Sequence, residues 1–231
     1  MSEAVFRTKT FPLNPASSVL FFVCPYGTTI AQLTWAIKRL QKDGFTVVAY
    51  DVSNRVIDGG DPTLLEAAVD GVIADIKKQI VDFKAQGASD FGFFGSSLGA
   101  FILYSAVAVV PELNWGVLNT GGDMAVGLWK LKKPRQRFEA AGIDLKKLKR
   151  LWQKVQYPEF KNLAGGHYLF FSSYQDKLAP LQEVDKFLEP LRQAGAQVDL
   201  LSATALGHVS TVTRGLLKCR QLVALVRSDQ E

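Results

Sequence analysis

Residues 90–110 read DFGFFGSSLGAFILYSAVAVV, and the fold turns on how this stretch is read. Phe91 to Phe94 form a short apolar run of strand character. Gly95-Ser96-Ser97-Leu98-Gly99 interrupts it, and a long apolar segment with helical spacing follows until Pro111. One glycine stands two residues before Ser97 and another two residues after it. Such a serine is either a small residue in a tight turn or anion-binding nest, or a hydroxyl held exposed in a strained strand-to-helix turn. The rest of the chain separates the two readings.

On both sides of this stretch, apolar runs alternate with amphipathic segments. SVLFFVC (18–24) reads as a buried strand. Residues 29–42 carry Ile30, Leu33, Ala36, Ile37 and Leu40 at helical spacing, ended by Asp43-Gly44. FTVVAYDV (45–52) is the next strand. Pro62 then opens a helix whose apolar stripe runs through Leu65, Val69, Val72, Ile73, Ile76 and Ile80 to Gly87. After the helix 98–110 come the strand NWGVLNT (114–120), the strand HYLFFSSY (167–174), a helix over 180–194, the strand AQVDLLSA (196–203) and a last helix over 209–226. Residues 4–11 add an N-terminal strand. Continuous apolar strands separated by amphipathic helices predict an α/β fold, a mostly parallel sheet covered on both faces. The alternation breaks only at 122–166, a helical insertion.

With 231 residues, 48% of them hydrophobic, the chain fits one large domain spanning 1–231. No apolar run of about 18 residues predicts a membrane span. MSEAVFRTKTF lacks the apolar core of a signal peptide. Two cysteines, Cys24 and Cys219, make neither a disulfide framework nor a metal-ligand spacing. The expected location is the cytoplasm. The net charge of +5 is uneven: residues 122–166 hold eleven Lys and Arg against four acids, so this segment is +7 and the rest of the chain −2.

In a parallel sheet, functional groups gather just beyond the carboxyl ends of the strands. Ser97, Asp176 and His208 each stand at such a point, in that order along the chain. A serine hydroxyl is a weak nucleophile and needs a base to take its proton. Histidine suits that role near neutral pH, and a carboxylate fixes its tautomer and stabilises the imidazolium. Leu98 N–H, at the helix start, would face the oxyanion of a tetrahedral intermediate. His167 opens a strand, which puts it at the opposite edge of the sheet. Asp123, after NWGVLNT, is a rival to Asp176. Cys24 reads as the inert end of a buried strand. IDGGDP lacks the Lys-Ser/Thr of a phosphate loop, and no His/Cys cluster suggests a metal. The chemistry calls for no cofactor.

Gly95-x-Ser97-x-Gly99 in a strand–turn–helix context, with Asp and His after later strands, resembles the nucleophile elbow and triad of the α/β-hydrolase family. The resemblance runs from about residue 18 to 226. It implies a helical cap over the active site at 122–166. Where many members carry a His-Gly pair, this chain reads Cys24-Pro25-Tyr26-Gly27-Thr28. The second oxyanion donor is therefore a backbone N–H near Thr28 or the hydroxyl of Tyr26. The function implied is serine hydrolysis of a carboxylic ester. The alternatives are a thioesterase or acyltransferase acting on an anionic acyl carrier, and a ligand-binding protein that keeps the fold without turnover. DLKKLKRLWQKV (144–155) forms an amphipathic cap helix whose Lys and Arg are a solvated face or attract anionic substrates, carriers or lipid surfaces. Nucleic acid is not an expected partner, as no reading motif accompanies the charge. The oligomeric state has no signature here.

Overall fold

The computed structural model describes residues 5–13, 17–58, 60–179, 181–203 and 206–228. Residues 4 and 180, at the ends of the first predicted strand and of the 180–194 helix, lie outside them. In chain order the elements are β1 (Phe6–Phe11), β2 (Ser18–Val23), α1 (Ile30–Lys42), β3 (Phe45–Val52), α2 (Arg55–Asp58), α3 (Thr63–Ala85), β4 (Asp90–Ser96), α4 (Leu98–Val107) and β5 (Trp115–Asn119). Then follow α5 (Met124–Trp129), α6 (Lys132–Ala140), α7 (Leu145–Leu151), α8 (Gln153–Gln156), β6 (His167–Ser173), α9 (Leu181–Gln193), β7 (Gln197–Ala203), α10 (His208–Leu217) and α11 (Cys219–Ser228).

The seven strands form one sheet in the order β1-β3-β2-β4-β5-β6-β7. β1 is antiparallel to β3, and every other pairing is parallel. β2, β3, β4, β5 and β6 are buried on both faces, which is why they read as unbroken apolar runs. β7 is an edge strand, so its residues alternate with solvent. One apolar layer joins α3, α4, α9 and the segment α5–α8 to one face of the sheet. The other joins α1, α10 and α11 to the opposite face.

The connection reverses direction at β2: α1 carries the chain outward to β3, and α3 returns it to β4 on the other side. The loops after β2 and β4 thus part at their carboxyl ends and leave a crevice between them. Val23 pairs with Gly95, so the crevice opens at residues 24–28 and 96–99.

Three elements differ from the sequence reading, the first being the expected helix over 144–155, which is the two short helices α7 and α8 broken at Trp152. The turn-rich stretch after β3 contains the single helical turn α2, which buries Val56 and Ile57. The predicted 209–226 helix is two helices that meet at Lys218. α10 is pinned at the sheet edge, where a Cβ on Gly215 would fall 2.3 Å from the Asn119 amide. α11 turns away to pack on β5 and β6. Among the described residues, no helix is long and apolar enough to cross a membrane.

Candidate active site

Ser97 follows β4 and caps α4 with φ 51° and ψ −115°, a backbone conformation that L-residues avoid. The flanking glycines make the turn possible. A Cβ on Gly99 would lie 2.1 Å from the Val23 carbonyl oxygen, and one on Gly95 would lie 2.5 Å from the Gly99 carbonyl oxygen. The chain turns sharply into α4 because β4, the turn and β2 touch without side chains between them. Ser97 N–H is fixed by the Asn119 carbonyl at 2.8 Å.

The turn aims Ser97 Oγ at His208, whose Nε2 lies 3.0 Å away. His208 Nδ1 lies 2.8 Å from Asp176 Oδ2. With Nδ1 donating to the carboxylate, Nε2 is left to accept from the serine hydroxyl. The other carboxylate oxygen of Asp176 accepts the N–H groups of Leu178 and Ala179 at 2.9 and 3.0 Å. Asp176 is 1% exposed, so its orientation has no freedom. Ser173 Oγ accepts from Leu206 N–H at 3.2 Å and ties the loop that carries His208 to the end of β6.

Asp123 has a different environment. Its Oδ1 caps α5 through Val126 N–H at 2.8 Å, and its Oδ2 accepts the Tyr157 hydroxyl at 2.9 Å and faces Lys149 Nζ at 3.2 Å. It anchors the inserted segment and makes no hydrogen bond to His208. His167 starts β6 at the opposite edge of the sheet, 2.6 Å from Asp199, and is 3% exposed.

The loop after β2 changes one expectation. Thr28 donates both its N–H (3.2 Å) and its hydroxyl (2.8 Å) to the Pro25 carbonyl, so neither is available to a substrate. The Tyr26 hydroxyl is drawn to Asp58 of α2 instead. Burial, and then its hydrogen bond to the Asp58 carboxylate, push it up to about 12. Arg137 of α6 donates to the Asp58 carbonyl and pairs with the carboxylate at 3.4 Å. Among the described residues the backbone N–H groups of Tyr26 and Gly27 have no acceptor, and neither does Leu98 N–H at the start of α4. The loop is held at both ends. Cys24 N–H donates to Tyr50 (2.9 Å), Asp51 Oδ2 accepts Ile30 N–H (3.0 Å), and Thr29 and Gln32 form a capping box on α1.

These groups meet in a cavity of about 480 Å³ that crosses the edge of the sheet. One arm runs under α5 and Leu131, against Ile57, Leu128 and Ala179, all buried. The other runs between α1 and α10, past Leu33, Val212 and Leu216 to Trp35 and Val209, which are 39% and 76% exposed. Ser97 and His208 line the same cavity. Of the aromatic residues in the insertion, Trp152 is core: it packs edge-on against Phe138 and its Nε1 donates to Pro62 at 2.9 Å.

No known family's sequence pattern matches the chain, and no curated protein matches it by sequence. Solved structures do match. A butyrate-bound esterase of the Planctomycetes species Thermogutta terrifontis has a TM-score of 0.63 at 16% identity, covering 95% of this chain and 88% of its own. An esterase of Pyrococcus furiosus has a TM-score of 0.62 at 18% identity, covering 93% and 82%. A phospholipase/carboxylesterase of Dyadobacter fermentans gives 0.58 at 16%, covering 92% and 94%. This chain has the α/β-hydrolase fold. The observed strand order puts the Ser97 turn at the centre of the sheet, and α5–α8 are inserted in the connection from β5 to β6.

Sequence reading missed one participant, Asn119. It is fully buried at the end of β5. Its carbonyl holds Ser97 N–H, and its Nδ2 donates to Ser96 Oγ at 2.7 Å and to the Val212 carbonyl of α10 at 3.1 Å. It therefore links the serine turn to the helix that begins with His208. The signal in the sequence was a single polar residue closing an apolar strand, before Thr120.

Proposed function

We propose that the chain is a serine hydrolase of carboxylic esters, with Ser97 as nucleophile, His208 as general base and acid, and Asp176 as the group that orients His208. The observation that carries this reading is the unbroken relay from Ser97 Oγ to His208 (3.0 Å) to Asp176 (2.8 Å), with the serine on a strained turn at an apolar cavity.

In this mechanism Ser97 Oγ attacks the ester carbonyl carbon as His208 Nε2 takes the hydroxyl proton. The carbonyl oxygen becomes an oxyanion, met by Leu98 N–H and by an unpartnered N–H of the 26–27 loop. The bond from carbon to the alcohol oxygen then breaks, and the imidazolium returns its proton to that oxygen. The acyl group stays on Ser97. Water attacks the acyl-enzyme with His208 as base, and the carboxylic acid leaves as Ser97 regains its proton.

His208 must reach the leaving oxygen, so the alcohol lies on the side of α10, in the arm between α1 and α10. The acyl chain lies opposite, in the enclosed arm under α5. Its buried walls favour short and medium acyl chains, whereas the open arm tolerates a bulky alcohol. The test is a panel of p-nitrophenyl esters of increasing acyl length. Wild-type protein is expected to hydrolyse the short and medium esters and Ser97→Ala none. Turnover by Ser97→Ala equal to wild type contradicts the reading.

A second reading keeps the chemistry and changes the substrate to a thioester on an anionic acyl carrier. It is favoured by Lys146 and Arg150, which flank a groove on α7 and have no acidic partner among the described residues. Charge reversal of these two residues should weaken turnover of a carrier-bound thioester in a salt-dependent way and leave a neutral ester unaffected.

A further inference from the structure

The helices on one face of the sheet carry a charge pattern that ester hydrolysis does not use. α1, α10, α11 and the linking Lys218 hold seven Lys and Arg and no Asp or Glu. On the opposite face, α3 and α9 mix seven acids with five bases. Two of the seven cations are answered by acids next to these helices, Arg220 by Asp43, which caps α1, and Arg227 by Asp90 at the start of β4. Arg39 lies over the Trp35 ring, 5.2 Å from its centroid. Lys38, Lys42, Arg214 and Lys218 have no acidic partner among the described residues.

The same layer exposes large apolar side chains: Val209 at 76%, Leu217 at 56%, Leu225 at 50% and Trp35 at 39%. Val209, Thr213 and Leu217 fall at four-residue intervals on one stripe of α10. Trp35 and Val209 are also the rim of the cavity's open arm. Apolar groups and an amphipathic tryptophan among unpaired cations suit a negatively charged interface with an apolar interior.

We propose that this face docks on an anionic lipid surface, with the open arm of the cavity turned toward it. The cations are drawn by the negative surface potential, and Val209, Leu217 and the Trp35 ring enter the headgroup boundary. A bilayer-dissolved alcohol moiety then meets the arm that the proposed mechanism assigns to the leaving group. The segment 122–166 is equally cationic in sum, but it contains four acids, and Arg137 and Lys149 are held in ion pairs. Val209, Leu217 and Trp35 beside unpaired cations match a surface that is anionic outside and apolar within, and the vesicle test separates it from an acidic protein.

The experiment is flotation of the full chain carrying Ser97→Ala with vesicles, so that binding is read without turnover and stands apart from the ester reading. Binding is expected to vesicles of phosphatidylcholine with about one-third phosphatidylserine, and not to phosphatidylcholine alone. It should disappear at about 1 M salt, where the screening length falls to about 3 Å. Neutralising Lys38→Gln, Arg214→Gln and Lys218→Gln together should weaken binding about a hundredfold, at about fivefold per cation, with an unchanged circular-dichroism melt. Val209→Asp should also weaken binding, with the charges intact. The set Lys146→Gln, Arg150→Gln and Lys154→Gln should leave binding within a few fold. The proposal is overturned by equal binding to both vesicle types, by no vesicle binding, by loss confined to the 146/150/154 set, or by salt-dependent capture of an acidic carrier protein without vesicle binding.

Discussion

Ser97 holds a backbone conformation that costs about 1–3 kcal/mol, and three neighbours keep it there: Gly95, Gly99 and the Asn119 carbonyl. The serine and aspartate were legible because each follows a strand that reads clearly as buried, and the histidine because it stands between the last strand and the last helical stretch. Asn119 was not, since its role depends on α10 crossing the end of β5, a tertiary fact with no local signature. Two carboxylates compete for the orienting role in the sequence, and the geometry separates them. Asp176→Asn should lower kcat about 10⁴-fold, whereas Asp123→Asn should leave kcat for a small ester within a few fold while lowering the melting temperature. Equal losses in the two variants would reverse the assignment. Asn119→Ala should lower kcat about ten- to a hundredfold with little change in KM, because a displaced His208 weakens proton transfer and not substrate binding. A change confined to stability would make Asn119 structural only. The two thiols are buried, and desolvation raises both, Cys219 to about 11 and Cys24 further. Since the thiolate is the reacting species, iodoacetamide at about pH 8 should modify neither in the native protein and both after denaturation, as read by intact mass.

At the scale of the element, close backbone approach governs what can be changed. Gly99→Ala puts a methyl group against the Val23 carbonyl of the neighbouring strand, and overpacking of this kind, without a flexible partner to yield, should abolish soluble expression or lower the melting temperature sharply. Thr29→Ala removes the capping box of α1 and should cost about 1 kcal/mol, measured by urea denaturation. Element type was readable wherever periodicity was long: the buried strands, α1, α3 and α4 stand within a few residues of their predicted limits. What escaped was set by packing. α2 is one turn in a stretch rich in turn residues, and the break at Lys218 arises because α10 is fixed on Asn119 while α11 follows the sheet. Neither cause leaves a periodic trace in the sequence.

For the whole molecule, the inserted helix α5 and the α1/α10 pair wall the two ends of one cavity. If the enclosed end takes the acyl chain, Leu128→Trp should reduce kcat/KM for an octanoyl ester at least tenfold and leave an acetyl ester within about twofold. Thr213→Trp, at the open end, should instead discriminate among alcohols at a fixed acyl length. The opposite pattern in the two variants would exchange the arms. All of this depends on a hydroxyl at position 97 that is reactive because of where it is held. The direct measurement is exposure of native protein to a fluorophosphonate, followed by peptide mapping by mass spectrometry. A single adduct on Ser97, absent in Ser97→Ala and strongly slowed in His208→Ala, is the expected result; an unlabelled wild-type chain, or an adduct on any other residue, would contradict it.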